Sequence, residues 1–418
     1  MTILYNLIFL LVAVVYLPAY LLRRKFHRGF SLRLGKIPQG RSFERPIWVH
    51  AVSVGEAMAV AGLVEQLRKA LPGKKFVIST VTATGNKIAQ RIAKEGDFVT
   101  YLPLDLSFMV KKTIDRISPE LFIIAETEIW PNLITQLHRK NIPIVTVNGR
   151  LSDSSFAGYS SVKFLLRPVL NKVSLFCVQS LRDKERFISL GVLVEKIEVT
   201  GNMKFDNLAP DARDSRARGM LRIKDKERLI VAGSTHPKEE QVLLQTFRAL
   251  FAGDKSLRFL IAPRHPERSA EVERLSVQYG FRPMAVSALK PSEDNRTIFI
   301  LDTIGQLMNF YAAADIVFVG GSLIRKGGHN ILEPALFAKP VLFGSHMFNF
   351  RDIKDLFLEA KAGLMVQGYD DLFRDVRDLL DDYPKALEMG QRARQLIINN
   401  RGATLRNVEL IRPFLGVS

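Results

Sequence analysis

The sequence predicts an α/β protein of two doubly wound halves, and three observations predict it. The chain has 418 residues, more than one ordinary core accommodates, so two units of about 150–200 residues are the natural partition. Short β-rich runs alternate with amphipathic stretches, the rhythm of a parallel sheet covered by helices. That rhythm breaks once, between Asn202 and Asp225, and then resumes.

The first element is apolar. Ile3 to Leu22 holds no charged residue, and a helix of about 20 residues rises about 30 Å, the thickness of a bilayer's hydrocarbon core. Arg23, Arg24, Lys25, Arg28, Arg33, Lys36 and Arg41 follow with no intervening acid, a bias that keeps the main body on the cytoplasmic side. A cleaved signal peptide would carry its charge at the other end and finish in a small-residue site, and neither is present. The stretch either spans the membrane as residues 1–22 with a kink at Pro18, leaving 23–45 as a basic juxtamembrane segment, or lies along the surface. The single cysteine, Cys177, excludes an intrachain disulfide and suits a reducing compartment. A net charge of +18 bears on partners rather than on fold. No zinc-finger, basic-zipper or aromatic ribonucleoprotein motif accompanies it, so an anionic leaflet is preferred to nucleic acid.

The first unit is expected over 46–205. Its strands are read at Trp48 to Val52, Phe76 to Thr80, Leu121 to Ala125, Ile144 to Asn148 and Leu175 to Val178, with helices at Glu56 to Leu71, Gly85 to Glu95 and Leu181 to Leu190. Residues 206–225 read as a linker, polar from Asp206 to Arg218 and interrupted by Pro210. The second unit, 226–418, carries strands at Leu229 to Gly233, Phe259 to Ala262, Thr297 to Leu301, Ile316 to Gly320 and Pro340 to Phe343. Its last helix has the option of crossing back to the first unit. Ligands of such sheets sit beyond the carboxyl ends of the strands, so the loops there carry the candidates.

Glu56, in Ser53-Val54-Gly55-Glu56, opens the first helix and reads either as a general base or as an acid complementing the helix N-terminus. Glu126 and Glu128 stand two apart before Pro131. On an extended strand they share a face, and otherwise they are an acidic helix start. In the second unit, Gly233-Ser234-Thr235-His236-Pro237 and Ala262-Pro263-Arg264-His265-Pro266 each follow a strand, where backbone donors and an arginine suit a phosphate. Asp302-Thr303-Ile304-Gly305-Gln306-Leu307 also joins strand to helix. Gly320-Gly321-Ser322, with Lys326-Gly327-Gly328-His329-Asn330-Ile331-Leu332-Glu333-Pro334, either lets a ligand approach the backbone or serves tight turns. In the first case Glu333 would accept from ribose hydroxyls. Ser234, His265, Gly320, Gly321, Ser322 and His329 are therefore further candidate ligand contacts.

Several chemistries lack their residues. No G-x-x-x-x-G-K-[ST] loop or G-x-G-x-x-G fingerprint occurs, which disfavours nucleotide hydrolases and dehydrogenases. No D-x-D pair exists, which removes the usual acidic clamp of metal-dependent sugar transferases. The seven histidines are scattered without H-x-x-x-H spacing, so no metal site is expected.

Together these stretches resemble the bacterial Kdo transferases, which attach 3-deoxy-D-manno-oct-2-ulosonic acid to the lipid A precursor. The similarity runs from the apolar N-terminus through Ser53-Val54-Gly55-Glu56, Glu126-Thr127-Glu128-Ile129-Trp130-Pro131-Asn132, Val147-Asn148-Gly149-Arg150, Gly201-Asn202-Met203-Lys204, Pro263-Arg264-His265 and Gly327-Gly328-His329-Asn330 to Asn330-Ile331-Leu332-Glu333-Pro334. The resemblance implies a GT-B glycosyltransferase, two Rossmann-like domains facing across a cleft, with the acceptor on the first and the nucleotide sugar on the second. It implies CMP-Kdo as donor, a lipid A precursor as acceptor and inversion at the transferred sugar, with no cofactor, metal or nucleic acid. Glu56 matches the family's proton acceptor, and Glu126 and Lys204 match positions assigned to the transition state. Pro263, Arg264, Gly305, Gln306, Leu307, Asn330, Ile331, Leu332 and Glu333 match the CMP-binding positions. The implied location is the cytoplasmic face of the inner membrane, in lipopolysaccharide biosynthesis.

Overall fold

Apolar runs buried on both sides set the two sheets. In Ile47-Trp48-Val49-His50 every residue is buried. Ile47 and Val49 enter one core while Trp48 enters the core on the opposite face, as a parallel strand covered on both sides requires. The computed structural model describes residues 5–7, 9–11, 29–38, 40, 42–208, 216–290 and 294–416. It divides into two units, Met1–Asn207 with Asn400–Ser418, and Leu208–Asn399.

The first unit contains β1 (Ile47–His50), β2 (Phe76–Thr80), β3 (Phe98–Tyr101), β4 (Leu121–Ala125), β5 (Ile144–Gly149), β6 (Leu175–Val178) and β7 (Ile197–Val199). Their order is β3-β2-β1-β4-β5-β6-β7, all parallel. The second contains β8 (Arg228–Thr235), β9 (Leu257–Pro263), β10 (Arg282–Ala285), β11 (Thr297–Ile300), β12 (Ile316–Val319), β13 (Val341–Gly344) and β14 (Leu364–Val366). Their order is β10-β11-β9-β8-β12-β13-β14, again all parallel. Each chain path starts in the middle of its sheet and reverses direction once, between β1 and β4 and between β8 and β12. A crevice for ligands opens at such reversals.

The sequence reading omits β3, β7, β10 and β14, and these are the four edge strands. Each has at least one residue that is not buried, so an edge lacks the unbroken apolar run that marks an inner strand. The segment read as a linker also contains structure: a helix at Arg216–Met220.

The chain ends on the first unit. Ala403, Val408, Ile411 and Leu415 join the core that holds the helix Val54–Ala70, and Asp206 accepts from the Gly402 and Thr404 amides at 2.7 and 2.6 Å. Near the other terminus, the described residues 5–7 and 9–11 are helical. Asn6 donates to Ser107 Oγ at 2.7 Å and accepts from Asn132 Nδ2 at 2.7 Å. The anticipated membrane helix, Ile3 to Leu22, lies mostly outside the described residues, and among those no helix is long and apolar enough to cross a membrane.

Candidate active site

Three glutamates meet where the first sheet reverses. The chain leaves β1 through Ser53, whose hydroxyl caps the helix Val54–Ala70 by accepting from the Glu56 amide at 3.5 Å. Glu56 reaches back, taking the Val52 amide at 2.7 Å and the Ser53 hydroxyl at 2.9 Å. This resembles a capping box, with the glutamate on the amide before the cap and on the cap's hydroxyl rather than on the cap's own amide, so Glu56 does complement the helix start. The same bonds fix its carboxylate at the carboxyl end of β1.

β4 lies beside β1 and delivers the second carboxylate by an unusual turn. Glu126 follows the strand at φ +55°, a left-handed conformation that costs on the order of 1 kcal/mol for a residue with a side chain and concentrates at functional sites. The extended i, i+2 geometry expected for Glu126 and Glu128 is therefore wrong, because the strand stops at Ala125. The helix-start alternative fails too. The N-cap of Pro131–Arg139 is Trp130, with no side-chain cap.

Each Glu126 oxygen meets a cation: Oε2 accepts from Arg150 Nε at 3.1 Å, and Oε1 lies 3.3 Å from Lys204 Nζ. Lys204 sits on a turn that polar groups hold in series. Asn148, fully buried and itself at φ +55°, accepts from the Met203 amide at 3.0 Å. Gln179 donates to the Asn148 carbonyl at 3.0 Å and accepts from Asn202 at 2.9 Å, and Asn202 accepts from the Lys204 amide at 2.9 Å.

Burial raises the Glu56 pKa above the usual carboxylate range, and the Glu126 charge raises it further against the pull of Val52, Ser53 and Lys204. Glu128 is pushed up to about 7, first by burial and then by Glu56 and Glu126. A carboxylate so placed holds a proton more firmly than in water, which is what a general base near neutral pH needs.

The raised Glu128 pKa also has a stability consequence. Unfolded, the group titrates near 4.5, and folded it titrates near 7. Below about pH 4.5 both states are protonated and there is no penalty. Between the two values only the folded state keeps the proton, so stability falls as pH rises, and the full cost stands above about pH 7. Glu128→Gln is expected to stabilise the chain by about 1–2 kcal/mol at pH 8, roughly half the 1.36 kcal/mol-per-unit conversion because water reaches the group, and to leave stability at pH 4 unchanged. Urea unfolding of the full chain at both pH values checks this, and equal effects at the two would contradict it.

The second unit gathers a different set at the β8–β12 reversal. Buried Glu239 accepts four amides, from Ser322 and Leu323 on Oε1 (2.9 and 2.9 Å) and from Gly321 and His236 on Oε2 (2.7 and 3.0 Å). It ties the loop after β12 to the loop after β8. At Gly320 a Cβ would lie 2.5 Å from the Ser234 carbonyl, and Gly321 has φ +67° with its Cβ position 2.8 Å from the His329 ring. The glycines thus serve the close approach of these two loops. His236 and His329 come to 2.9 Å between their Nε2 atoms, and the His265 ring stands edge-on to His236 at 6.1 Å. The seven histidines are scattered in sequence, yet three of them gather here.

Exposed Arg264 has its amide on the Thr235 carbonyl at 2.9 Å, and its guanidinium has no ion-pair partner among the described residues. Glu333 accepts from Asn330 Nδ2 at 3.3 Å, and burial raises its pKa. Gly305, at φ +89°, precedes Gln306 and the helix Leu307–Ala313. Ser234, at φ +56°, remains half-buried in the loop after β8. Other candidate positions are buried or bonded within the protein. Ile331 and Leu332 are wholly buried and serve as packing beneath Asn330 and Glu333. Pro263 is buried at the end of β9. The Ser322 hydroxyl is spent on the Val319 carbonyl and the Gly344 amide, at 2.6 and 2.8 Å.

Sequence reasoning left Arg150, His236 and Glu239 out of the site residues. Arg150 follows β5 in Asn148-Gly149-Arg150, and His236 follows β8 much as His265 follows β9, so a strand-end rule applied evenly finds both. Glu239 carries little local signal, because three of its four partners lie more than eighty residues further along the chain.

Comparison with known proteins adds independent findings. A family model described as 3-Deoxy-D-manno-octulosonic-acid transferase (kdotransferase) matches residues 28–207. The chain is 37% identical to a 3-deoxy-D-manno-octulosonic acid transferase of Haemophilus influenzae, over 90% of this chain and 88% of that protein. It is 34% identical to one of Chlamydophila psittaci, over 87% and 85%. Among solved structures, the UDP-GlcNAc 2-epimerase of Neisseria meningitidis superposes with a TM-score of 0.58 over 88% of this chain and 99% of that one, at 14% identity, a likeness of fold.

Proposed function

The chain belongs to the 3-deoxy-D-manno-octulosonic-acid (Kdo) transferase family, with the GT-B fold, and on that premise we propose that it moves Kdo from CMP-Kdo to a hydroxyl of the lipid A precursor, with inversion and without a metal. The observation that carries the reading is the carboxylate cluster at the β1–β4 reversal, with Glu56 pinned by Val52 and Ser53. A sugar hydroxyl is a weak nucleophile, and Glu56 takes its proton as the new bond forms. The leaving CMP gathers negative charge while the sugar carbon gathers positive charge. Lys204 meets the first, held in place by its 3.3 Å contact with Glu126, and the Glu126 carboxylate favours the second.

CMP is held by the second unit, with Arg264 on its phosphate and the Gly305-Gln306-Leu307 and Asn330–Glu333 segments around the rest. A single phosphate is within the reach of cationic side chains, which is why no metal is invoked. The apolar stretch from Ile3 to Leu22 and the basic residues after it hold the enzyme at the cytoplasmic face of the inner membrane, beside its lipid acceptor and the acceptor's own phosphates.

Calorimetry with CMP, UDP and ADP tests the donor. CMP is expected to bind at least about tenfold more tightly than either, and Arg264→Ala to weaken CMP by about tenfold or more, the loss of one charge-assisted phosphate contact. Preference for UDP, or an unchanged CMP affinity in the variant, would contradict the reading.

A further inference from the structure

The histidine pair of the second unit has a chemistry of its own. The Nε2 atoms of His236 and His329 are 2.9 Å apart, with ring planes within 4° of parallel and centroids 5.2 Å apart. One Nε2 must therefore carry a hydrogen and the other a lone pair. A neutral ring that donates through Nε2 has a bare Nδ1, and a neutral ring that accepts through Nε2 has its hydrogen on Nδ1. The neutral pair thus shows its surroundings one Nδ1–H and one Nδ1 lone pair, and the lone pair repels an anion. A single added proton converts that lone pair into a second donor, leaves the Nε2 bond intact and makes the pair a cation. Neither Nδ1 has a partner among the described residues.

The surroundings favour an anion. Arg264 acts on both rings, Lys326 and Arg268 act on His236, and His265 stands beside them. The nearby acids are engaged. Glu239 is filled by four amides, Glu240 by Arg268 at 2.9 Å and Thr235 at 3.0 Å, Glu267 lies against His265 at 3.3 Å, and Glu333 accepts from Asn330.

We propose that His236 and His329 form a proton-linked oxyanion subsite, in which an acid group of the donor binds beside the pair and one proton is taken up with it. This rests on the reading that the second unit holds CMP-Kdo. The acid group is either the phosphodiester or the carboxylate of the sugar, and the chemistry recognised is the same. Without ligand the pair is neutral at physiological pH, since burial and then the neighbouring cations, Lys326 for His236 and Arg264 for His329, lower both rings to about 4. An adjoining anion raises such a group by about 1–3 units, so the proton enters with the ligand. Affinity then strengthens as pH falls from the bound value towards the free one, by up to about tenfold per pH unit for one linked proton.

Calorimetry of the full chain at pH 5.5 to 7.5, in buffers of different ionisation heat, counts the protons taken up. Three ligands are compared: cytidine, the methyl ester of CMP and CMP-Kdo. The methyl ester is useful because its phosphodiester does not titrate near neutrality. CMP-Kdo is expected to bring between about 0.2 and one proton at pH 5.5, the range that a rise of about 1–3 units allows, and cytidine none. Uptake with the methyl ester as well assigns the subsite to phosphate, and uptake with CMP-Kdo alone assigns it to the sugar carboxylate. His236→Gln and His329→Gln should each eliminate both the uptake and the pH slope. CMP-Kdo binding with no proton taken up across this range, or with uptake undiminished in both variants, would overturn the proposal. Failure of every cytidine ligand to bind, with UDP binding instead, is a different result and overturns the donor reading itself.

Discussion

Glu56→Gln is expected to lower kcat by about 10²- to 10⁴-fold, the range lost when a positioned general base is removed, while the chain stays folded and binds CMP as before. The fold should survive because glutamine makes the same reach back over a helix start that glutamate does. The amide oxygen still takes the Val52 N–H that Glu56 holds at 2.7 Å. What disappears is the acceptor for the hydroxyl proton. In the parent enzyme, kcat/KM should rise with pH as Glu56 ionises, on a limb displaced upward from an ordinary glutamate by burial and the Glu126 charge. The variant should lack that limb. Steady-state rates across pH, with circular dichroism as a check on folding, separate the cases. Turnover within about fivefold of the parent would remove Glu56 from the mechanism.

Lys204→Ala is the second large effect, with kcat expected to fall about 10²- to 10³-fold, as when one preorganised charge-stabilising donor is deleted. Loss of this cation should also move the acid limb upward, because Lys204 acts to lower the Glu56 pKa. A structural role alone would not move that limb. Glu126→Gln should combine with Lys204→Ala non-additively, since the two side chains are paired at 3.3 Å and share one task. Additive losses with an unmoved limb would assign Lys204 to scaffolding.

The inner strands were legible because burial on both faces leaves continuous apolar runs such as Leu121 to Ala125. The edge strands were not, since two of the three residues of β7 are exposed and none of β10 is buried, and their sequences resemble loops. Glu56 was legible as a residue at a strand end, but its two readings were not exclusive: one carboxylate both caps a helix and stands in the cluster. The Glu126–Glu128 pair was found for the wrong geometric reason. A residue at φ +55° gives no local signal when it is not glycine, and the partner of its amide, the Val147 carbonyl at 2.9 Å, lies on the neighbouring strand. The His236–His329 pair and the Glu239 bracket join residues about ninety apart in the chain, and spacing rules read only short range.

The most direct test of the account is the product itself. The full chain, given CMP-Kdo and the lipid A precursor, should convert the precursor to a species heavier by one or more Kdo residues, seen by mass spectrometry, with one CMP released for each sugar added. An unmodified precursor in the presence of CMP-Kdo, or modification from a UDP-sugar in its place, would contradict the account.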